Sequence, residues 1–204
     1  MKLVLIRHGF TAANEKHLYC GSTDIGLSDA GRAALARRKE VAEYPDVSGL
    51  RVVTSGKKRC EETLEILYGN VEHEIDPAFC EIDFGAFEMR SYEELKNDPA
   101  YIEWITGDNE RNIAPGGESG EIMTKRVLEG LERLIAGGRD TLLVTHGGVI
   151  AAIMAHLFPG EGKNRYEWQP APGGGYLTDF NFDRFDRVDL FSKKYCHLFI
   201  FDVK

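Results

Sequence analysis

Three compact runs, residues 2–6 (KLVLI), 50–54 (LRVVT) and 141–145 (TLLVT), constrain this chain more than any other feature of it. Each has strand length, none keeps a period-two alternation, and each leads straight into polar residues and glycine: Arg7-His8-Gly9, Ser55-Gly56 and His146-Gly147-Gly148. Strands without a polar face must be buried on both sides, and a parallel sheet covered by crossover helices provides that burial. The expected fold class is α/β.

The segments between the runs read as helices. Ser28 suits the N-cap of an Ala-rich stretch reaching about residue 44, and residues 58–68 place Cys60, Thr63, Leu64 and Leu67 on one face. Ile122, Val127, Leu131, Leu134 and Ile135 form the apolar stripe of a third helix that Gly137-Gly138 should end, and a fourth covers about residues 148–158. Residues 86–117 break this rhythm. Ser91-Tyr92-Glu93-Glu94 fits a capping box opening a short helix, Tyr101, Trp104 and Ile105 give one apolar side, and a Gly/Asp/Asn-rich loop follows. The segment reads as a lid inserted into one domain spanning residues 1–204. Near the carboxyl end, Tyr176, Thr178, Phe180 and Phe182 alternate with small or polar residues and 196–203 is a further strand candidate, so an antiparallel edge is expected.

The chain has 204 residues, ample for one buried core. Its net charge of −8, from 25 Lys+Arg and 33 Asp+Glu, argues against nucleic acid or an anionic membrane as partner. The excess is local: residues 81–121 hold eleven acidic and three basic residues, −8 by themselves, which leaves the remainder neutral. The first apolar stretch is too short for a signal peptide, and residues 149–158, interrupted by His156, fall far short of a membrane span. A cytoplasmic monomer or homodimer is expected. Cys20, Cys60, Cys80 and Cys196 show no C-x-x-C spacing, so free thiols are expected rather than a zinc knuckle or redox pair.

In an open α/β sheet, ligands bind beyond the carboxyl ends of the strands. Here those ends carry Arg7-His8, the stretch from Ser55 through Arg59, and His146, which would bring two imidazoles and two guanidiniums to one sheet edge. Such a pocket suits an anion. Arginine grips phosphate with a planar fork, and a neutral imidazole can attack phosphorus, so the residue types themselves point to phosphoryl transfer. No cysteine opens a C-x5-R motif, Gly160-Glu161-Gly162-Lys163 lacks the spacing and hydroxyl of a P-loop, and no His/Asp cluster suggests a metal.

Leu5-Ile6-Arg7-His8-Gly9, with Thr11 and Asn14 after it, resembles the signature of the histidine phosphatase superfamily. The resemblance extends over nearly the whole chain. Gly21-x-x-Asp24-x-x-Leu27-Ser28-x-x-Gly31 is similar to the next motif of that family, and Thr54-Ser55 with Arg59 and Thr63 to its second arginine block. Glu81-x-x-Phe84-Gly85-x-Phe87-Glu88 resembles the acidic block, Pro115-Gly116-Gly117-Glu118-Ser119 the start of the following helix, and Thr145-His146-Gly147-Gly148 the second histidine. The resemblance implies a three-layer α/β/α sandwich of the phosphoglycerate mutase type, with a mostly parallel central sheet. It implies His8 as nucleophile, Arg7, Arg59 and His146 holding the phosphoryl oxygens, and Glu81 as general acid. Asn14, the amides after His8 and His146 (Gly9 and Gly147), Gly21 and Thr23 would line the phosphate pocket. A small-molecule phosphate ester is the implied partner, with no metal or other cofactor.

Within the superfamily, His17-Leu18-Tyr19-Cys20-Gly21 and Phe84-Gly85-Ala86-Phe87-Glu88-Met89-Arg90 are similar to stretches of α-ribazole phosphatases, which act on α-ribazole 5′-phosphate in cobalamin assembly. Many relatives have Glu-Gly where this chain has Glu88-Met89. A phosphatase of broad specificity, for sugar phosphates, phosphoglycerate or nucleotides, is the alternative. Ile82 after Glu81, where a phosphoglycerate mutase would carry Arg, disfavours a mutase, and the retention of His8 and Glu81 disfavours a module that only binds phosphorylated ligands. His17, His73, His156 and His197 lie outside the motifs and read as surface or packing residues. Tyr19, Phe84, Phe87, Tyr92 and Trp104 read as core before substrate contact, and Cys20, Cys60 and Cys80 as small buried residues before redox sensors.

Overall fold

The three compact runs are strands β1 (Lys2–Arg7), β2 (Arg51–Thr54) and β4 (Thr141–Thr145) of a computed structural model. It describes residues 1–41, 44–108 and 110–180, and the backbone of 198–201. With β3 (Glu74–Ile75), β5 (Gly175–Asp179) and β6 (Leu198–Phe201) these strands form one sheet in the order β3-β2-β4-β1-β5-β6. The β1–β4, β2–β4 and β2–β3 pairs are parallel, whereas β5 runs antiparallel to β1 and β6 antiparallel to β5. The expected parallel centre with an antiparallel edge is therefore present. Register aligns the carboxyl ends: Arg7 lies opposite Thr145, and Thr54 opposite Val144. His8, Ser55 and His146, one residue beyond each strand, consequently meet at one edge.

Side chains that alternate along the central strands feed two cores. Val4, Ile6, Val52, Leu142 and Val144 pack against α2 (Asp29–Val41) and α3 (Lys58–Tyr68), through Leu35, Cys60, Leu64 and Leu67. Leu3, Leu5, Val53 and Leu143 pack against α6 (Gly120–Ala136) and α7 (Gly147–Leu157) on the opposite face. Each fully buried aliphatic side chain contributes about 1.5–3 kcal/mol, so strands with two apolar faces hold the three layers together. Ser28 does cap α2, its hydroxyl accepting the Gly31 amide at 3.0 Å. Ser119 caps α6 and Gly137 closes it.

The buried stripe of α6 differs from the expected one by a residue at its start. Met123 is fully buried while Ile122 is exposed, because Met123, Val127, Gly130, Leu131 and Leu134 are the residues in phase with the core. Strand β3 and the single turn α1 (Ala12–Glu15) were not anticipated from the sequence. A third cluster, Phe87, Leu95, Tyr101, Trp104 and Ala114, is built within residues 84–117 around α4 (Tyr92–Leu95) and α5 (Pro99–Thr106), with Tyr19 and Phe84 packed on it. Ser91 forms the expected capping box with Glu94. Phe182, Cys196 and His197, named in the edge-strand and side-chain expectations, lie outside the described residues. No helix among the described residues is long and apolar enough to cross a membrane.

Candidate active site

His8 follows β1 and is nearly inaccessible. Its Nδ1 lies 2.7 Å from the Gly9 carbonyl oxygen, which can only accept, so Nδ1 carries the hydrogen and donates. In the neutral ring the lone pair is then on Nε2. Burial, with Arg59 nearby, lowers the imidazole to about 3, so the ring is neutral at physiological pH. The tautomer and the charge both suit a nitrogen nucleophile.

The second imidazole sits 5.2 Å away, centroid to centroid, in an edge-on arrangement. His146 is the N-cap residue of α7, and both of its ring nitrogens are engaged. Nδ1 accepts from Arg59 Nε at 3.2 Å, which places the hydrogen on Nε2, 2.9 Å from the Ser55 hydroxyl. Burial and the Arg59 charge hold His146 well below its ordinary value, so this ring is neutral as well. The positive charge of the site comes from arginine.

Arg59, on the first turn of α3, is almost completely buried despite following Lys57-Lys58 in sequence. Its other donors reach the carbonyls of Thr23 (2.8 Å) and Gly21 (2.7 Å). Arg7 donates from Nη1 to the Pro170 carbonyl at 2.9 Å, while its buried Nε has no hydrogen-bond partner among the described residues. A buried cationic donor without a partner is costly, and an anion at this position would relieve that cost.

Glu81 faces this group from the segment after β3. One carboxylate oxygen accepts the Ile82 amide at 3.0 Å and the other the Gly148 amide at 2.9 Å, in the first turn of α7. Arg7, Glu81 and Gly148 line a cavity of about 290 Å³, whose walls also include Tyr19, Phe84, Trp104, Ile105 and Tyr166. Arg165 also lines the cavity and is paired with Glu110 at 2.6 Å. Of the aromatic residues read as core, Phe87 is buried, Tyr92 is exposed, and Tyr19, Phe84 and Trp104 both pack together and face the cavity.

The remaining expected site residues take these places. Asn14 uses Oδ1 to accept the Thr11 amide in the cap of α1, so only its amide nitrogen is left to donate elsewhere. The Gly9 amide donates to Thr63 Oγ1 at 3.0 Å and is thereby occupied. Gly147 lies against the Arg7 guanidinium, where an added Cβ would stand 3.0 Å from Cζ. Gly21 and Thr23 are held by a residue whose role sequence reasoning missed. The Glu88 carboxylate accepts the amides of Gly21, Ser22, Thr23 and Phe84 and the Thr23 hydroxyl, which donates at 2.6 Å. It shapes the loop whose carbonyls orient Arg59. Ser55, which the sequence places at this sheet edge, meets His146 Nε2 there, a contact that spacing along the chain does not show.

His73, read as a packing residue, is half-buried and paired with Glu61 at 2.7 Å. Burial raises the Cys20 and Cys80 thiols and pushes Cys60 up to about 12, which leaves little thiolate for oxidation at neutral pH. No group of three His, Cys, Asp or Glu side chains among the described residues could hold a metal ion.

A family model described as the histidine phosphatase superfamily (branch 1) matches residues 3–189. The chain belongs to the histidine phosphatase superfamily. It is 31% identical over 163 residues, 77% of this chain and 79% of the relative, to an adenosylcobalamin/alpha-ribazole phosphatase of Salmonella typhimurium. The alpha-ribazole phosphatase of Shigella flexneri superposes with a TM-score of 0.82 at 25% identity, covering 100% of this chain and 96% of that one. A phosphoglycerate mutase from Thermus thermophilus is 31% identical with a TM-score of 0.66, covering 90% and 95%. The family and these relatives make the chain a phosphatase on the phosphoglycerate mutase-like α/β fold.

Proposed function

We propose that this phosphatase hydrolyses α-ribazole 5′-phosphate through a phosphohistidine on His8. The observation that carries the substrate is the join of two unlike walls in one cavity. Arg7, whose Nε has no partner among the described residues, and the Glu81 carboxylate share its lining with the rings of Tyr19, Phe84, Trp104 and Tyr166, and the neutral His8 directly follows Arg7 in the chain. Arg165, the second guanidinium in the lining, is already paired with Glu110. A leaving alcohol that carries a planar aromatic base fits such a wall better than one that carries a second phosphate. Two of the relatives carry the name alpha-ribazole phosphatase, which supports the same reading.

In this reading His8 Nε2 attacks phosphorus and the bond to the ester oxygen breaks, with the Glu81 carboxyl passing its proton to that oxygen. Glu81, now a carboxylate, then takes a proton from the water that attacks phosphorus. The P–N bond breaks and the Nε2 lone pair is restored. The Nδ1–H bond to the Gly9 carbonyl persists through both steps, which fixes the ring and keeps its reactive nitrogen aimed at phosphorus. Arg7 and Arg59 carry the charge that meets the phosphoryl oxygens, with the Asn14 amide as a further donor. His146, bordered by Gly147, keeps Arg59 oriented, as do Gly21 and Thr23. Residues 86–117 act as the lid of a single domain, and their acidic surface disfavours polyanionic esters.

A panel of phosphate esters ranked by kcat/KM tests the substrate. α-Ribazole 5′-phosphate should exceed sugar phosphates, 3-phosphoglycerate and nucleotides by at least about tenfold, a discrimination of the size that one well-fitted apolar pocket supplies. A sugar phosphate or bisphosphoglycerate as the best substrate would overturn that assignment. An acid-labile, base-stable label that fails to appear on His8 would overturn the mechanism.

A further inference from the structure

Glu81 lies just past a single 3-10 turn, Pro77–Phe79, and four consecutive carbonyls from Ala78 to Glu81 are held, three of them by one side chain. Arg126 of α6 donates from Nη1 to the carbonyls of Ala78 (2.9 Å) and Cys80 (2.7 Å), and from Nη2 to that of Glu81 itself (3.0 Å). The fourth, Phe79, accepts from the Thr145 hydroxyl at 2.7 Å, the residue before His146. Arg126 spends its two remaining hydrogens on Glu118, at 2.8 Å from Nε and 2.8 Å from Nη2, so all five guanidinium N–H groups are engaged. Glu118 in turn accepts the Asp83 amide at 3.1 Å and donates its own amide to the Asp83 carbonyl at 2.8 Å. The chain on both sides of Glu81 is thereby locked to α6.

We infer that Arg126 is a positioning residue for the proton transfer at Glu81, an inference that rests on the acid role proposed above. A rigid guanidinium fork fixes several acceptors at once, which a flexible side chain of equal charge cannot do. Without the fork, the Glu81 backbone is free to drift, and a drift of about 1 Å at a reacting group costs on the order of 10²-fold in rate. The nucleophile is untouched, since His8 is held by the Gly9 carbonyl and, through its own amide, by the Thr145 carbonyl of β4.

The test is the rate of phosphohistidine formation, read by rapid quench, for an alkyl phosphate that needs a proton donor and for p-nitrophenyl phosphate, which does not. Arg126→Gln should lower the alkyl rate by about 10²-fold and the aryl rate by less than about fivefold, and should add less than about threefold when introduced into Glu81→Gln. Arg126→Lys should fall between Arg126→Gln and wild type. If Arg126→Gln does not fold, Arg126→Lys is read on the same alkyl-to-aryl ratio, where a value equal to wild type overturns the inference. A merely structural role would lower both rates together. An unchanged ratio in Glu81→Gln would remove the acid assignment itself. A collapsed ratio in Glu81→Gln with an unchanged ratio in the Arg126 variants would remove only the positioning role.

Discussion

The contact between Gly148 and Glu81 allows the catalytic geometry to be disturbed with little effect on the fold. An ideal Cβ on Gly148 would stand 2.3 Å from Glu81 Oε1 and 3.1 Å from both Cδ and Oε2, whereas ordinary van der Waals contact begins near 3.4 Å. In Gly148→Ala the carboxylate must therefore withdraw by about 1 Å, and as the end of a flexible side chain it can do so. The withdrawal weakens the bond from the Gly148 amide, at a cost of about 1.5–3 kcal/mol for a charge-assisted bond. Alanine in a helix recovers about 0.5–1 kcal/mol over glycine. The net loss is about 1 kcal/mol, or a Tm lower by roughly 2–4 °C for a chain of this size. Proton transfer should suffer far more, by on the order of 10²-fold. The assay compares single-turnover release of an alkyl alcohol with that of p-nitrophenol, alongside thermal unfolding. Alkyl release within threefold of wild type, or equal losses on both esters, would refute the placement of Glu81 as proton donor.

Two further outcomes follow from burial and backbone geometry. Between pH 6.5 and about 3 the unfolded chain protonates His8 while the folded one does not, so stability falls as pH drops through this window; from pH 7.5 to 4.5 wild type should lose about 3 kcal/mol more than His8→Gln in urea unfolding, and parallel curves would contradict the buried neutral imidazole. Met89 adopts a left-handed conformation, φ +58°; Met89→Gly should raise unfolding free energy by about 0.5 kcal/mol, the relief of the Cβ strain less the added freedom of the unfolded chain, and a loss above 1 kcal/mol would show that the side chain stabilises the turn.

Much of the fold was legible because its signals are local. Strand length, helical period and caps depend on residues within about a dozen positions of each other, and Ser28, Ser91 and Gly137 fall where such rules put them. At the start of α6, Ile122 and Met123 are both apolar, and only the sheet beneath them decides that Met123 enters the core. Strand β3 was missed because two exposed residues, Glu74 and Ile75, carry no periodicity.

By itself, then, the sequence determined which residue types reach the carboxyl edge of the sheet: His8, Ser55, Arg59 and His146 follow strands whose apolar runs leave no other arrangement. Tertiary structure alone decided what those residues are chemically. The neutrality of both imidazoles comes from desolvation by the assembled layers, and the tautomer of His146 from an arginine 87 residues earlier in the chain. Glu88 reaches back 67 residues to the Gly21 amide, and Arg126 reaches back 45 to the Glu81 carbonyl. Protonation state and orientation are set by neighbours in space, and spacing along a chain carries no information about a partner that only the closed fold brings near.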